Sequence, residues 1–277
     1  MISAAQRAQV CVGQTTVTYL PDGEARIVPS AAFPTTTPDQ WSGLLDGDDR
    51  MTCSIGAFLI RTPAAAVLVD LGIGAVDFEV AGVGSYRGGD LLASLAAEGL
   101  RPADIDAVVF THLHRDHVGW VGAADGGLTF AAARHVAHAE EWAYWTTTDS
   151  PVGPDPVTVR QPLAERIEFA DDGDDVADGV RVLATPGHTP GHLSVLITAP
   201  DTADQVLVLG DILHSTAQIT HPDRAFRSNH DAADANRTRD RVLSLADGTA
   251  TVLAAGHFAP TVFGRIRNST WLPHAPR

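Results

Sequence analysis

The chain has 277 residues, 44% of them hydrophobic, and a formal net charge of −15. That length suits one large domain or two small ones, and the apolar share is that of a globular core. The negative charge argues against binding nucleic-acid phosphates or anionic lipid. All 19 basic residues are Arg, which excludes a Lys nucleophile or Schiff base. The longest apolar runs, such as 64–69 and 206–209, are too short to span a bilayer. Residues 1–10 lack the charged start and apolar run of a signal peptide, so a soluble cytoplasmic protein is expected. Two cysteines, Cys11 and Cys53, are too few for a disulfide framework or a Cys-rich zinc site. They are expected to be buried free thiols.

In chain order, residues 10–20 alternate as a strand does, and Pro21-Asp22-Gly23 is expected to turn the chain. Residues 29–49 read as a long loop, from which Trp41 is placed to reach over a site as a lid. Residues 53–60 and 65–69 read as a hairpin around Thr62-Pro63, closing in the Gly-rich turn 70–74. Periodicity predicts a helix over 90–98, stopped by Gly99, and a buried strand over 106–110. A strand over 134–138, a helix over 140–145, a proline-rich surface loop over 150–162 and a solvated acidic turn over 171–175 follow. Strands over 180–184, 205–209 and 251–254 each lead to a residue with metal-binding chemistry: His188, Asp211 and His257. A helix over 231–245 precedes the last. Strands interleaved with helices make an α/β protein, and such folds place ligands beyond the ends of buried strands.

The chemistry concentrates in Thr111-His112-Leu113-His114-Arg115-Asp116-His117, directly after a buried strand. Residues two apart on an extended segment face one side, which pairs His112 with His114. Asp116 and His117 fall on the turn that follows and point elsewhere, so one turn can serve two metals. Imidazole and carboxylate together suit Zn, Fe, Mn or Co. A His-rich surface loop accounts neither for the position after a buried strand nor for the later strand-end His188, Asp211 and His257.

The His-x-His-x-Asp-His pattern, followed by strand-end His, Asp and His, resembles the metallo-β-lactamase superfamily from about Cys53 to His257. Leu68-Val69-Asp70-Leu71-Gly72 matches that family's early Asp, Thr185-Pro186-Gly187-His188 its third motif, and Leu209-Gly210-Asp211 its bridging carboxylate. The resemblance implies an α/β, four-layer αβ/βα sandwich, as a single domain over 1–277. It implies a first metal on His112, His114 and His188, a second on Asp116, His117 and His257, and Asp211 between them. Asp70 would support the ligands. The implied cofactor is a pair of divalent ions, zinc first, with Mn, Co or Fe as alternatives. They would share a hydroxide nucleophile that Asp116 orients, Asp116 then passing a proton to the leaving group.

A bridging Asp points away from the true β-lactamases. It points to the hydrolase group that includes acyl-homoserine lactone lactonases and methyl parathion hydrolase-like enzymes. The expected reaction is cleavage of a lactone, carboxylic ester or phosphotriester. Those lactonases carry a Tyr three residues after the bridging Asp; here His214 stands there, expected as a catalytic hydrogen-bond donor to an oxyanion, as a support behind the metal ligands or as part of the pocket wall. A small-molecule substrate and at most a second copy of the chain are the expected partners. A mononuclear iron persulfide dioxygenase-like oxidoreductase and a non-catalytic binding protein of the same fold are the alternatives. His192 is expected to be structural, and Phe58, Trp120, Trp142 and Trp145 to pack the core or line a pocket.

Overall fold

The alternating residues near the N-terminus form a hairpin, not the one strand expected. In this computed structural model, which describes residues 2–274, β1 (Ala8–Val12) reverses into β2 (Thr15–Ile27). The expected turn at Pro21-Asp22-Gly23 is instead a bulge inside β2, where pairing with β3 (Met51–Arg61) shifts register. A bulge tolerates proline's missing donor. The Asp22 carboxylate lies buried there. It accepts hydrogen bonds from the N–H groups of Ile73, Gly74, Gly89 and Leu91 and from the Trp120 indole, at 2.8–3.2 Å.

β3 and β4 (Ala66–Val69) make the expected hairpin. An edge hairpin of β5 (Asp77–Val80) and β6 (Gly84–Gly88) was not expected, because its mostly exposed, Gly-containing residues carry no clear alternation. β7 (Ala107–Val109), β8 (Arg134–Ala137) and β9 (Ile167–Phe169) extend the sheet in parallel beyond β4. The first sheet runs β5-β6-β2-β3-β4-β7-β8-β9, with β1 paired on β2. The second sheet keeps chain order: β10 (Asp175–Ala177), β11 (Val180–Ala184), β12 (Leu193–Thr198), β13 (Gln205–Val208), β14 (Val252–Ala254), β15 (Phe263–Arg267) and β16 (Thr270–Pro273). Its one parallel pair is β13 with β14.

Period-2 alternation sorts side chains between layers. Val67 and Val69 of β4 join Val182, Val195 and Val208 in the core between the sheets. Leu68, between them, faces outward onto Leu91 and Leu95 of helix Leu91–Ala97 and Trp145 of helix Ala139–Thr147. Across the molecule, Val242 and Ala246 of helix Ala232–Ala246 cover Leu209 and Leu253. The result is the four-layer α/β sandwich that the family resemblance implied. Each fully buried Val or Leu contributes about 1.5–3 kcal/mol. Among the described residues, no helix is long and apolar enough to cross a membrane.

The loops hold further corrections. Residues 150–162 contain a wide helical turn, Pro156–Arg160, capped by Asp155, and a short helix, Gln161–Leu163. Trp41 is no lid: it is buried against Phe33 at 5.0 Å between ring centroids, with the Arg224 guanidinium over its ring. Cys11 and Cys53 are both free, but Cys11 is exposed.

Removing the Asp22 carboxylate orphans several buried donors at once. Asp22→Ala is therefore expected to cost about 3 kcal/mol or more, read as a lowered denaturant midpoint. A change below about 1 kcal/mol would mean that these donors find other partners.

Candidate metal centre

The strand ends deliver the ligand-type residues to one place because local bonds hold each loop. Past β7, the Thr111 N–H and hydroxyl both donate to Asp70, at 2.8 Å each. A single turn at Arg115–His117 then separates Asp116 and His117 from His112 and His114. Past β11, Gly187 adopts φ +129° and runs so close to the backbone of Ala235 that any Cβ would collide with it. Past β13, Gly210 sits at φ +59° against the His192 ring. His192 Nε2 accepts the Asp211 N–H at 2.9 Å, and its Nδ1 pairs with Thr185. It thus plays the structural part expected of it.

All seven expected ligand residues converge. His112, His114, His188 and Asp211 form one cluster of donor atoms, and Asp116, His117 and His257 a second. Asp211 stands between them. Its Oδ2 lies 3.2 Å from His188 Nε2 and 3.6 Å from His112 Nε2. Its Oδ1 lies 3.1 Å from His257 Nε2 and 3.3 Å from His117 Nε2. Asp116 Oδ2 is 3.6 Å from His257 Nε2 and 3.8 Å from His117 Nε2. Asp116 is the least enclosed of the seven, with 29% of its side chain exposed.

Outer partners fix which nitrogen of each ring faces inward. The Nδ1–H of His117 donates to Asp70, that of His257 to the Ser54 carbonyl, and that of His188 to Asn229 Oδ1, at 2.8–2.9 Å. Thr111 spends its hydroxyl proton on Asp70 and so accepts from His112 Nδ1 at 3.0 Å. Once singly protonated, each of these four rings therefore presents its Nε2 lone pair to the centre. His112 Nε2 and His188 Nε2 both abut His114 Nδ1, at 3.0 and 2.9 Å. One proton on His114 can serve only one of them. His117 Nε2 and Asp211 Oδ1 are buried with no hydrogen-bond partner. Converging lone pairs and an orphaned carboxylate oxygen are the chemistry of a cation site, and the donor set fits a pair of divalent ions.

The metallo-β-lactamase superfamily profile matches residues 52–257, the stretch that contains every one of these residues. The chain belongs to the metallo-β-lactamase superfamily. Within this superfamily it is 31% identical over 178 residues to metallo-beta-lactamase domain-containing protein 1 of Mus musculus. That alignment covers 64% of this chain and 57% of the mouse protein's length. It is 27% identical over 208 residues to an N-acyl homoserine lactonase of a Bacillus species, covering 69% of this chain and 73% of the relative. The fold matches AidC, a dizinc quorum-quenching lactonase, at TM-score 0.85 and 20% identity over 99% of both chains. It matches the hydrolase AbOPH at TM-score 0.82 and 25% identity, again over 99% of both.

His214 is buried and stacks on Phe226, 3.6 Å between centroids, with its Nε2 3.1 Å from Asp211 Oδ2. Its partner in this arrangement is the central carboxylate. Of the aromatic candidates, Trp145 packs edge-on against His114, and Phe58 lines the small space beside Asp116, His117 and His257. Trp120 is tied to Asp22, and Trp142 packs on the outer core of the first sheet. Two supporting residues had no sequence signal. Asn229 orients His188 from a loop. Buried Glu141 accepts the N–H groups of Leu113 and Gly191 and so ties together the two loops that carry His114 and His188.

The centre splits its protons unequally. Burial, reinforced by repulsion from neighbouring imidazoles, holds His112 and His114 well below the ordinary histidine value. Burial also opposes charge on His257, but Asp211 and Asp116 outweigh it and push its pKa up to about 9. His117 is likewise held high, by Asp211, Asp70 and Asp116 against burial. At neutral pH a cation must therefore displace protons from the second cluster. Zinc uptake by metal-free protein is expected to release protons at pH 7 and to tighten as pH rises towards 9. Calorimetry in two buffers of different ionisation enthalpy reads the count, and uptake without proton release would contradict it. In the metal-free chain the raised His257 contributes stability that is full below its ordinary value of 6.5 and lost as pH climbs through about 9.

Proposed function

We propose that the chain is a dinuclear metal-dependent hydrolase that cleaves a lactone, carboxylic ester or phosphotriester. One observation carries this reading: the two oxygens of Asp211 each face a separate set of imidazoles. His112, His114 and His188 would hold one ion, Asp116, His117 and His257 the other, and Asp211 both. Zinc suits this donor set, as would Mn, Co or Fe. The second set has outer partners of its own at Asp70 and Ser54, which favours two ions over a single-iron oxygenase. The relative named an N-acyl homoserine lactonase supports an acyl substrate.

When bound, such a pair supplies a water acidified to a pKa of about 7 and a Lewis acid for the substrate's oxygen. The chain's own residues do the rest. Asp116, the least enclosed carboxylate of the centre, accepts the proton of the attacking water on its oxygen turned away from His117 and His257 and returns it to the leaving oxygen. Burial holds His214 neutral, with its pKa down at about 3, so it has one N–H to give. With Nε2 facing Asp211, that N–H steadies the shared carboxylate, and His214 acts as a positioning residue. Asp70, Thr111, Ser54 and Asn229 keep each ring in the tautomer that leaves its inward nitrogen bare.

Chelation is expected to abolish hydrolysis across a panel of lactones, aryl esters and phosphotriesters, and added zinc to restore it. Asp211→Ala should lower kcat/KM by about 10³-fold, matching the several kcal/mol that such a clamp contributes. Full activity in metal-stripped protein would refute the reading.

A further inference from the structure

A cavity of about 320 Å³ opens beside the first ligand cluster, bordered by His114 and His188. Its wall is a segment pinned at three points. The Arg227 N–H donates to Ala32, the Asn229 side chain accepts from His188, and the His230 N–H donates to the His188 carbonyl, at 2.8–2.9 Å. The Tyr144 ring meets His230 edge-on at 4.9 Å. The cavity's position is thus set by a metal-site histidine and not by a free loop.

The charge of this cavity is unusual for the chain. Acidic residues outnumber Arg by 34 to 19 overall, yet among the described residues no Asp or Glu lines it, and Arg227 does. Asp231 is next in sequence, but its carboxylate turns away to the N–H groups of Ala233 and Asp234. The Arg227 guanidinium has no ion pair or side-chain hydrogen bond among the described residues. An exposed guanidinium on an anchored wall, with no carboxylate to answer it, is a receptor for an anionic oxygen pair.

The proton-returning Asp116 belongs to the second cluster, so the leaving oxygen lies on that side. The acyl remainder then extends towards His114, His188 and this cavity. We propose that Arg227 binds a carboxylate on the acyl part of the substrate, so that the enzyme prefers esters or lactones bearing a negative charge beyond the scissile carbonyl. This rests on the hydrolase reading above. The reaction remains hydrolysis: water adds to the acyl carbon, the bond to the leaving oxygen breaks, and the leaving oxygen takes the proton.

Mono-p-nitrophenyl adipate and p-nitrophenyl hexanoate have acyl chains of equal length and differ in the terminal carboxylate. Zinc-loaded enzyme is expected to favour the adipate ester about fivefold in kcat/KM, the worth of one partly exposed ion pair. Arg227→Gln should bring the ratio to about one, and Arg227→Glu should invert it. Calorimetric titration with adipamate, which carries a carboxylate and no scissile ester, reads the same contact without turnover. Its binding should weaken about fivefold in Arg227→Gln. Equal rates for the two esters in the parent enzyme, or a preference and adipamate affinity indifferent to both substitutions, would overturn the proposal while leaving the hydrolase reading intact. Arg227-dependent adipamate binding with no hydrolysis of either ester would uphold the anion site and sink the hydrolase reading instead.

Discussion

The carboxylate of Asp211 is buried between two groups of imidazoles, and the rest of the centre is arranged around that fact. A lone buried carboxylate is costly, and so is a set of lone pairs aimed at one another. Each is the other's partial remedy: His257, His117, His214 and His112 pull the Asp211 pKa well below the usual carboxylate range, against its burial. The remedy is incomplete, since one Asp211 oxygen and one His117 nitrogen still lack partners. A pair of divalent ions would complete it. The convergence of four loops from two sheets is therefore a folding constraint as well as a requirement of the proposed chemistry.

Three other buried carboxylates do for the loops what Asp211 does for the centre. Asp70 receives Thr111 and His117 and so sets the orientation of rings in both clusters. Glu141 joins the loops of His114 and His188. Asp22 gathers the turns behind Asp70 onto the first sheet. Backbone N–H groups supply most of the compensation at Asp22 and Glu141, while at Asp70 one N–H is joined by the Thr111 hydroxyl and the His117 ring, which is how a chain rich in acids and without Lys can bury negative charge.

The ligand-type residues that cluster and most central strands were legible in the sequence, because both depend on short-range pattern. His112 to His117 sit within one loop, and the strands before His188, Asp211 and His257 are compact apolar runs. What was hidden depended on long-range contact. The β5–β6 hairpin lies at an edge, largely exposed, so no alternation marks it. Pro21-Asp22-Gly23 has turn composition, but the pull of several distant N–H groups on Asp22 makes it a bulge. Trp41 sits in a loop of polar and Pro-rich composition, yet Phe33 and Arg224 enclose it. Asn229 reaches His188 from 41 residues away, with no motif around it. His214 was placed beside the chemistry by its spacing from Asp211, but only the Phe226 stack and the 3.1 Å contact reveal that it faces the carboxylate.

The central claim is that Asp211 joins two cation sites. Anomalous diffraction at the zinc edge from crystals grown with excess zinc tests it most directly. Two peaks about 3.5–4 Å apart, one beside each oxygen of Asp211, are expected. A single peak on the His112, His114 and His188 side, with Asp116, His117 and His257 left bare, would contradict it.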